Sequence, residues 1–142
     1  MKTIIALIGL TFFTHFLNAQ NDTASVPEGT TIQITVPVTS NEGSVLVALD
    51  DEAHFMQKGL QSAEGIIKDG KATVIFTNVA PGEYAIILFH DKNSNKQMDF
   101  DMNGMPLEPY GVSNNAMSFG PPQWSDAKFE VADQPIEMEI RM

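Results

Sequence analysis

Ile66-Ile67-Lys68-Asp69-Gly70-Lys71-Ala72-Thr73-Val74 sets Asp69-Gly70 between two runs of β-prone residues. A type I′ turn needs positive φ at both central positions, and Asp-Gly is one of the few pairs that accept it. The stretch predicts a tight hairpin, and its returning strand runs to Thr77 with Ala72, Val74 and Phe76 on one face. On the N-terminal side, Ile32, Ile34, Val36 and Val38 alternate with Thr31, Gln33 and Thr35, the period of a half-buried strand. Pro37 cannot donate to a ladder, so that strand lies at an edge or ends there. Asn41-Glu42-Gly43 is turn chemistry, and Ser44 to Leu49 reads as a second strand, apolar on both faces. In the segment from Asp50 to Ala63, Phe55, Met56 and Leu60 fit a short helical turn, and His54 reads as a surface or packing residue.

On the C-terminal side, Pro81-Gly82 turns the chain into Tyr84–His90. Ala85-Ile86-Ile87-Leu88-Phe89 is apolar on both faces, as a central strand is. Ala127, Phe129 and Val131, then Ile136, Met138, Ile140 and Met142, alternate with polar residues and close the pattern. About seven short strands with turns between them predict an all-β fold, an antiparallel β-sandwich of immunoglobulin-like or transthyretin-like type with one long loop. A small barrel is the structural alternative.

The full chain has 142 residues, enough for one domain with a modest core. Lys2 followed by the apolar run Ile4 to Leu17 and the small residue Ala19 reads as a secretory signal peptide over 1–19, cleaved after Ala19. The run is shorter than the roughly 20 residues that span a bilayer, so no membrane span is expected once it is removed. Residues 20–29 read as a flexible arm and 30–142 as the sandwich domain, with nothing expected beyond it. The protein is expected to be exported, either periplasmic or extracellular. Asp22-Thr23-Ala24 matches a short bacterial O-glycosylation signal, three residues that recur easily by chance. There is no cysteine, so no disulfide limits the unfolded chain. The formal charge is −10, and −11 without Lys2. Such a surface lacks the phosphate-neutralising term of nucleic-acid binding and is repelled by anionic lipid, but it favours cations.

His90-Asp91-Lys92-Asn93-Ser94-Asn95-Lys96-Gln97-Met98-Asp99-Phe100-Asp101 carries oxygen side chains at odd spacing: Asp91, Asn93, Asn95, Asp99 and Asp101. Hard oxygen donors suit a hard cation, and the stretch reads as a Ca²⁺ loop, with Glu108 the nearest further carboxylate. It is not an EF-hand. That loop needs glycine at its sixth position and glutamate at its twelfth, where Lys96 and Met102 stand. The plainer reading is a solvated turn, because Asp and Asn bond their own backbone in turns.

Phe100 to Ser125 shows no periodicity and is rich in Gly and Pro, yet carries Tyr110, Phe119 and Trp124. Loops of this length inside a compact domain are usually functional or disordered, and the aromatic content argues for order. Tyr110, Phe119 and Trp124 are candidates to stack on a sugar or peptide, and Asn114 and Asn115 to supply directional hydrogen bonds. The competing reading packs the same aromatics against the core.

Asn78-Val79-Ala80-Pro81-Gly82-Glu83-Tyr84-Ala85, the Asp/Asn run, Glu108-Pro109-Tyr110-Gly111-Val112-Ser113-Asn114-Asn115 and Phe119-Gly120-Pro121-Pro122 occur in order. Together they resemble a group of secreted bacterial proteins, domain-of-unknown-function family 2141, over Thr30 to Met142. That group commonly has glycine where Lys96 stands. The Pro-Gly-x-Tyr turn also resembles carboxypeptidase-regulatory and prealbumin-like modules. The resemblance implies secretion and an immunoglobulin-like sandwich, and no established activity.

The function expected from these residues is a non-enzymatic extracytoplasmic module, stabilised by Ca²⁺ and binding a glycan, a peptide or an envelope protein through the loop 100–125. One alternative is a hydrolase using the carboxylates of the Asp/Asn loop and Glu108, with His90 beside Asp91 as a base. The sequence has no Gly-x-Ser-x-Gly, cysteine nucleophile or His-Glu-x-x-His to support it. Another is a structural envelope accessory protein.

Overall fold

A computed structural model describes residues 29–142 of the protein; the expected signal peptide and almost all of the expected arm lie outside the described residues. The described residues form eight strands: β1 (Thr30–Pro37), β2 (Ser44–Asp50), β3 (Gln61–Lys68), β4 (Lys71–Val79), β5 (Gly82–Asp91), β6 (Tyr110–Val112), β7 (Phe129–Val131) and β8 (Ile136–Glu139). One short helix, α1 (Trp124–Ala127), precedes β7, and a 3-10 turn occupies Ser113–Asn115. The hairpin lies where the sequence places it: Asp69 has φ 51° and Gly70 φ 74°, between β3 and β4.

The all-β class stands, and three details of the expected sandwich are corrected. The strands form one curled sheet in the order β6-β5-β2-β3-β4-β1-β8, with β7 beside the first residues of β5. It is a half-barrel rather than two separate layers. β3 makes the bend: Gln61–Ile66 pair with β2, and only Ile67 and Lys68 pair with β4. The sheet is also mixed, because β8 runs parallel to β1. One strand more than expected, β6, lies inside the long loop and pairs Tyr110 with Phe89 and Val112 with Ile87. Residues 52–56 form hydrogen-bonded turns, the His54 amide bonding the Asp51 carbonyl and the Gln57 amide the His54 carbonyl, where a short helical turn is expected. Pro37 ends β1, as expected, and is its last residue paired with β4.

The curl follows from burial. Ile32, Ile34 and Val36 of β1, and Ala72, Val74 and Phe76 of β4, face Val45, Val47 and Leu49 of β2 and Ile86 and Leu88 of β5 across one core. At roughly 25 cal/mol per Å² of apolar surface, this is the main stabilising term, and it is available only if the sheet folds over on itself. The two ends of the sheet then approach each other. Ile140, just past β8, is fully buried, and its amide bonds the Thr35 carbonyl (3.0 Å). A Cβ on Gly111 of β6 would stand 2.4 Å from the Arg141 carbonyl oxygen, so only glycine allows this approach.

Candidate functional site: an acidic loop and an apolar groove

β5 carries His90 and Asp91 out of the core into the acidic loop. Both are buried. The His90 Nε2 lies 2.7 Å from the Glu42 carbonyl oxygen, so that nitrogen carries the proton and donates. The His90 amide bonds the Pro109 carbonyl (2.9 Å). The ring is therefore a tie between β5 and the turn before β2.

Asp91 organises the first turn of the loop. Its Oδ1 accepts from the Asn95 amide (3.1 Å) and its Oδ2 from the Lys96 amide (3.0 Å). Lys96 adopts φ 64°, the left-handed region that glycine enters most freely. Its ammonium reaches Glu64 on β3 (2.5 Å). Asn93 and Asn95 turn their amide groups to the Asp99 carboxylate at 2.6 and 3.0 Å. Glu108 arrives from further along and spans the loop: one oxygen accepts from the Lys92 amide (3.2 Å), the other from the Asp99 amide (3.3 Å).

Five of the six expected cation ligands, Asp91, Asn93, Asn95, Asp99 and Glu108, are thus joined in one hydrogen-bonded set. Asp101 is not. Its Oδ1 accepts from the amides of Asn103 and Met105 (2.8 Å each) and closes a separate turn at 101–105. The Met105 amide, the largest cause, holds the Asp101 carboxyl below its ordinary value. Among the described residues, no three His, Cys, Asp or Glu side chains converge closely enough to hold a metal by themselves. A cation here would take Asn and backbone oxygens alongside the carboxylates. Acceptor capacity remains for this: Asp91 and Glu108 accept one amide on each oxygen, and Asp99 accepts two on Oδ2 but one on Oδ1.

The expected ligand-facing residues divide differently. The Asn114 side-chain amide donates to the carbonyls of Asp126 (3.0 Å) and Lys128 (2.9 Å). The Asn115 side chain donates to the Glu139 carbonyl (3.0 Å) and accepts from the Arg141 amide (2.8 Å), standing in for a ladder partner between the two ends of the sheet. Trp124 packs edge-on against Phe55, ring centroids 5.5 Å apart. These three side chains are turned to the protein's own groups. Tyr110 is half-buried and borders an open surface.

That surface is the outer face of β2 and β5. Leu46 pairs with Phe89, and Ala48 with Ile87. These four form the floor of an open groove of about 1170 Å³. Met98, Phe100 and Met105, from the acidic loop and the turn after it, line it, as do Phe119 and Pro121 from the long loop and Met56 from the β2–β3 connection. Phe119 is fully exposed, and Phe100, Met105 and Met56 are more than half exposed. The apolar character of β2 and β5 on both faces was the sequence signal for this second face. Of its walls, only the aromatics Tyr110 and Phe119 of the long loop stand out in the sequence; the methionines and Phe100 lie in aperiodic segments and carry no signal.

Fold and site together define an all-β module that presents an apolar groove beside an acidic loop. The chain belongs to a bacterial family: residues 32–139 match the profile described as an uncharacterized protein conserved in bacteria, domain-of-unknown-function family 2141. Neither the curated proteins nor the solved structures gave a match. No helix among the described residues is long and apolar enough to cross a membrane.

Proposed function

We propose that the protein is an exported, non-enzymatic binding module whose ligand lies in the groove on the outer face of β2 and β5. One observation carries this reading. Leu46, Ala48, Ile87 and Phe89 form a continuous apolar floor on a rigid sheet, and apolar side chains from two loops stand exposed around it. Exposed apolar patches of this kind mark interaction sites, and mostly apolar concave surfaces are the usual form of ligand sites. Export rests on the signal-like residues 1–19. The non-enzymatic reading is supported by the carboxylates of Asp91 and Glu108, which hold loop amides rather than face one another across a substrate space.

The long loop takes part through Phe119 and Tyr110, while Asn114, Asn115 and Trp124 hold it in shape. Calcium belongs to the same proposal as a stabiliser of the acidic loop. Lys96 at φ 64° supports it, because the Asp-x-Asn-x-Asn run then turns at the position where an EF-hand places glycine.

Nile red, a neutral apolar dye, tests the groove. The chain should bind it with enhanced emission. Phe119→Ala should weaken binding several-fold without lowering the melting temperature, since Phe119 is fully exposed. Ala48→Lys, which puts a charge on the floor, should abolish it. Absence of dye binding, or binding indifferent to both changes, contradicts the proposal. For the acidic loop, Ca²⁺ at about 100 times its dissociation constant should add about 2.7 kcal/mol and raise the melting temperature by several degrees. Asp99→Ala should remove that response. An unchanged melt would leave the loop held by hydrogen bonds alone.

A further inference from the structure

Asp50 closes β2 and is only 2% exposed, yet it lines the groove. Its position follows from register: on β2 it continues the outer row of Leu46 and Ala48, and across the ladder it meets Ala85. A carboxylate offers about four acceptor sites. Among the described residues Asp50 has one hydrogen bond, its Oδ1 accepting from the Leu60 amide at 3.2 Å. Among the described residues no buried side-chain oxygen is left without a partner, so the second oxygen of Asp50 is not sealed in the interior. It opens to the groove. None of the ion pairs among the described residues includes Asp50. The charged groups around it are already engaged: His54 pairs with Asp51, and Lys96 with Glu64.

An apolar trough with one poorly hydrated, unpaired carboxylate is complementary to an apolar body with one positive head. Resting on the groove as the ligand surface, we propose that its ligand is a cationic amphiphile. Its hydrocarbon part lies along Leu46, Ala48, Ile87 and Phe89, and its protonated amine donates to the free oxygen of Asp50. The exposed thioether and phenyl side chains of Met56, Met105 and Phe119 are soft and adaptable, and suit a flexible chain better than a rigid ring. The formal charge of −10 draws a cation toward the surface and repels an anionic amphiphile of the same length. Burial, the largest cause, raises the Asp50 carboxyl above its ordinary value, while the Leu60 amide pulls it down. Ionised Asp50 is thus a cost to the empty fold that a cationic head would relieve.

The test compares three ligands of equal chain length, decylammonium, decyl sulfate and decanol, each below its aggregation concentration. Dissociation constants come from displacement of Nile red. Decylammonium should bind at least about tenfold tighter than the other two, the effect of one charge-assisted contact in a poorly hydrated site. Asp50→Asn keeps the shape and the acceptor for Leu60. It should bring the three constants, each corrected for the variant's own Nile red affinity, within about threefold of one another. Equal affinities on the native chain, or a preference that survives Asp50→Asn, overturn the assignment of Asp50 while leaving the groove standing. Failure of Nile red itself to bind overturns the groove, and this assignment with it.

Discussion

Burial keeps the Asp50 carboxyl above its ordinary value, and the consequence for stability has a definite sign. The folded chain holds that proton more tightly than the unfolded chain, so ionisation works against the fold. The penalty is absent below about pH 3.8 and complete once the pH exceeds the raised value. Asp50→Asn should therefore raise the melting temperature at pH 7 and give no gain at pH 3, which melting curves at the two pH values check. Lys96 illustrates a backbone cost instead. A non-glycine residue in the left-handed region carries roughly 1–2 kcal/mol. Lys96→Gly should be close to neutral, relief of that strain offsetting the lost contact with Glu64. Lys96→Val should cost about 1–3 kcal/mol, because a β-branched residue tolerates positive φ least. Chemical denaturation of both variants checks this. The sequence marks Lys96 by its place in the Asp/Asn run, but it does not mark Asp50. A carboxylate at a strand end looks like any turn residue until the sheet shows which face it continues.

At the scale of elements, alternation and turn chemistry carried most of the information. Ile32, Ile34 and Val36 are fully buried because period two puts them on one face of β1. Asp69-Gly70 fixed the β3–β4 hairpin through the φ values that pair accepts. β6 was illegible, because three residues cannot display a period. The parallel pairing of β8 with β1 was equally hidden, since alternation sets which face is buried and says nothing about a neighbour's direction. Asn115 shows a use of an amide that side-chain type alone does not reveal: it bridges two ends of the sheet. Asn115→Ala should remove both bonds to residues 139–141 and cost about 1–2 kcal/mol. Faster hydrogen exchange at the Arg141 amide, with the β2–β5 amides unchanged, is the expected signature.

At the scale of the whole, the described residues form a curled sheet that is apolar on its inner face and, over β2 and β5, on its outer face as well. Its concave face is closed by the curl: Leu88→Ala in that core should cost about 2–5 kcal/mol, measured by denaturant unfolding. Its convex face over β2 and β5 is left partly open as the groove, with the acidic loop forming part of one wall through Met98 and Phe100. The proposal that this face binds an apolar ligand is tested most directly by mapping ligand-induced NMR shifts over the whole chain. Titration with decylammonium should move the signals of Leu46, Ala48, Asp50, Ile87, Phe89 and Phe119, and leave Thr73 and Ile75 on the outer side of β4 unmoved. Shifts scattered over both regions, or confined to β4, would contradict a binding site in the groove.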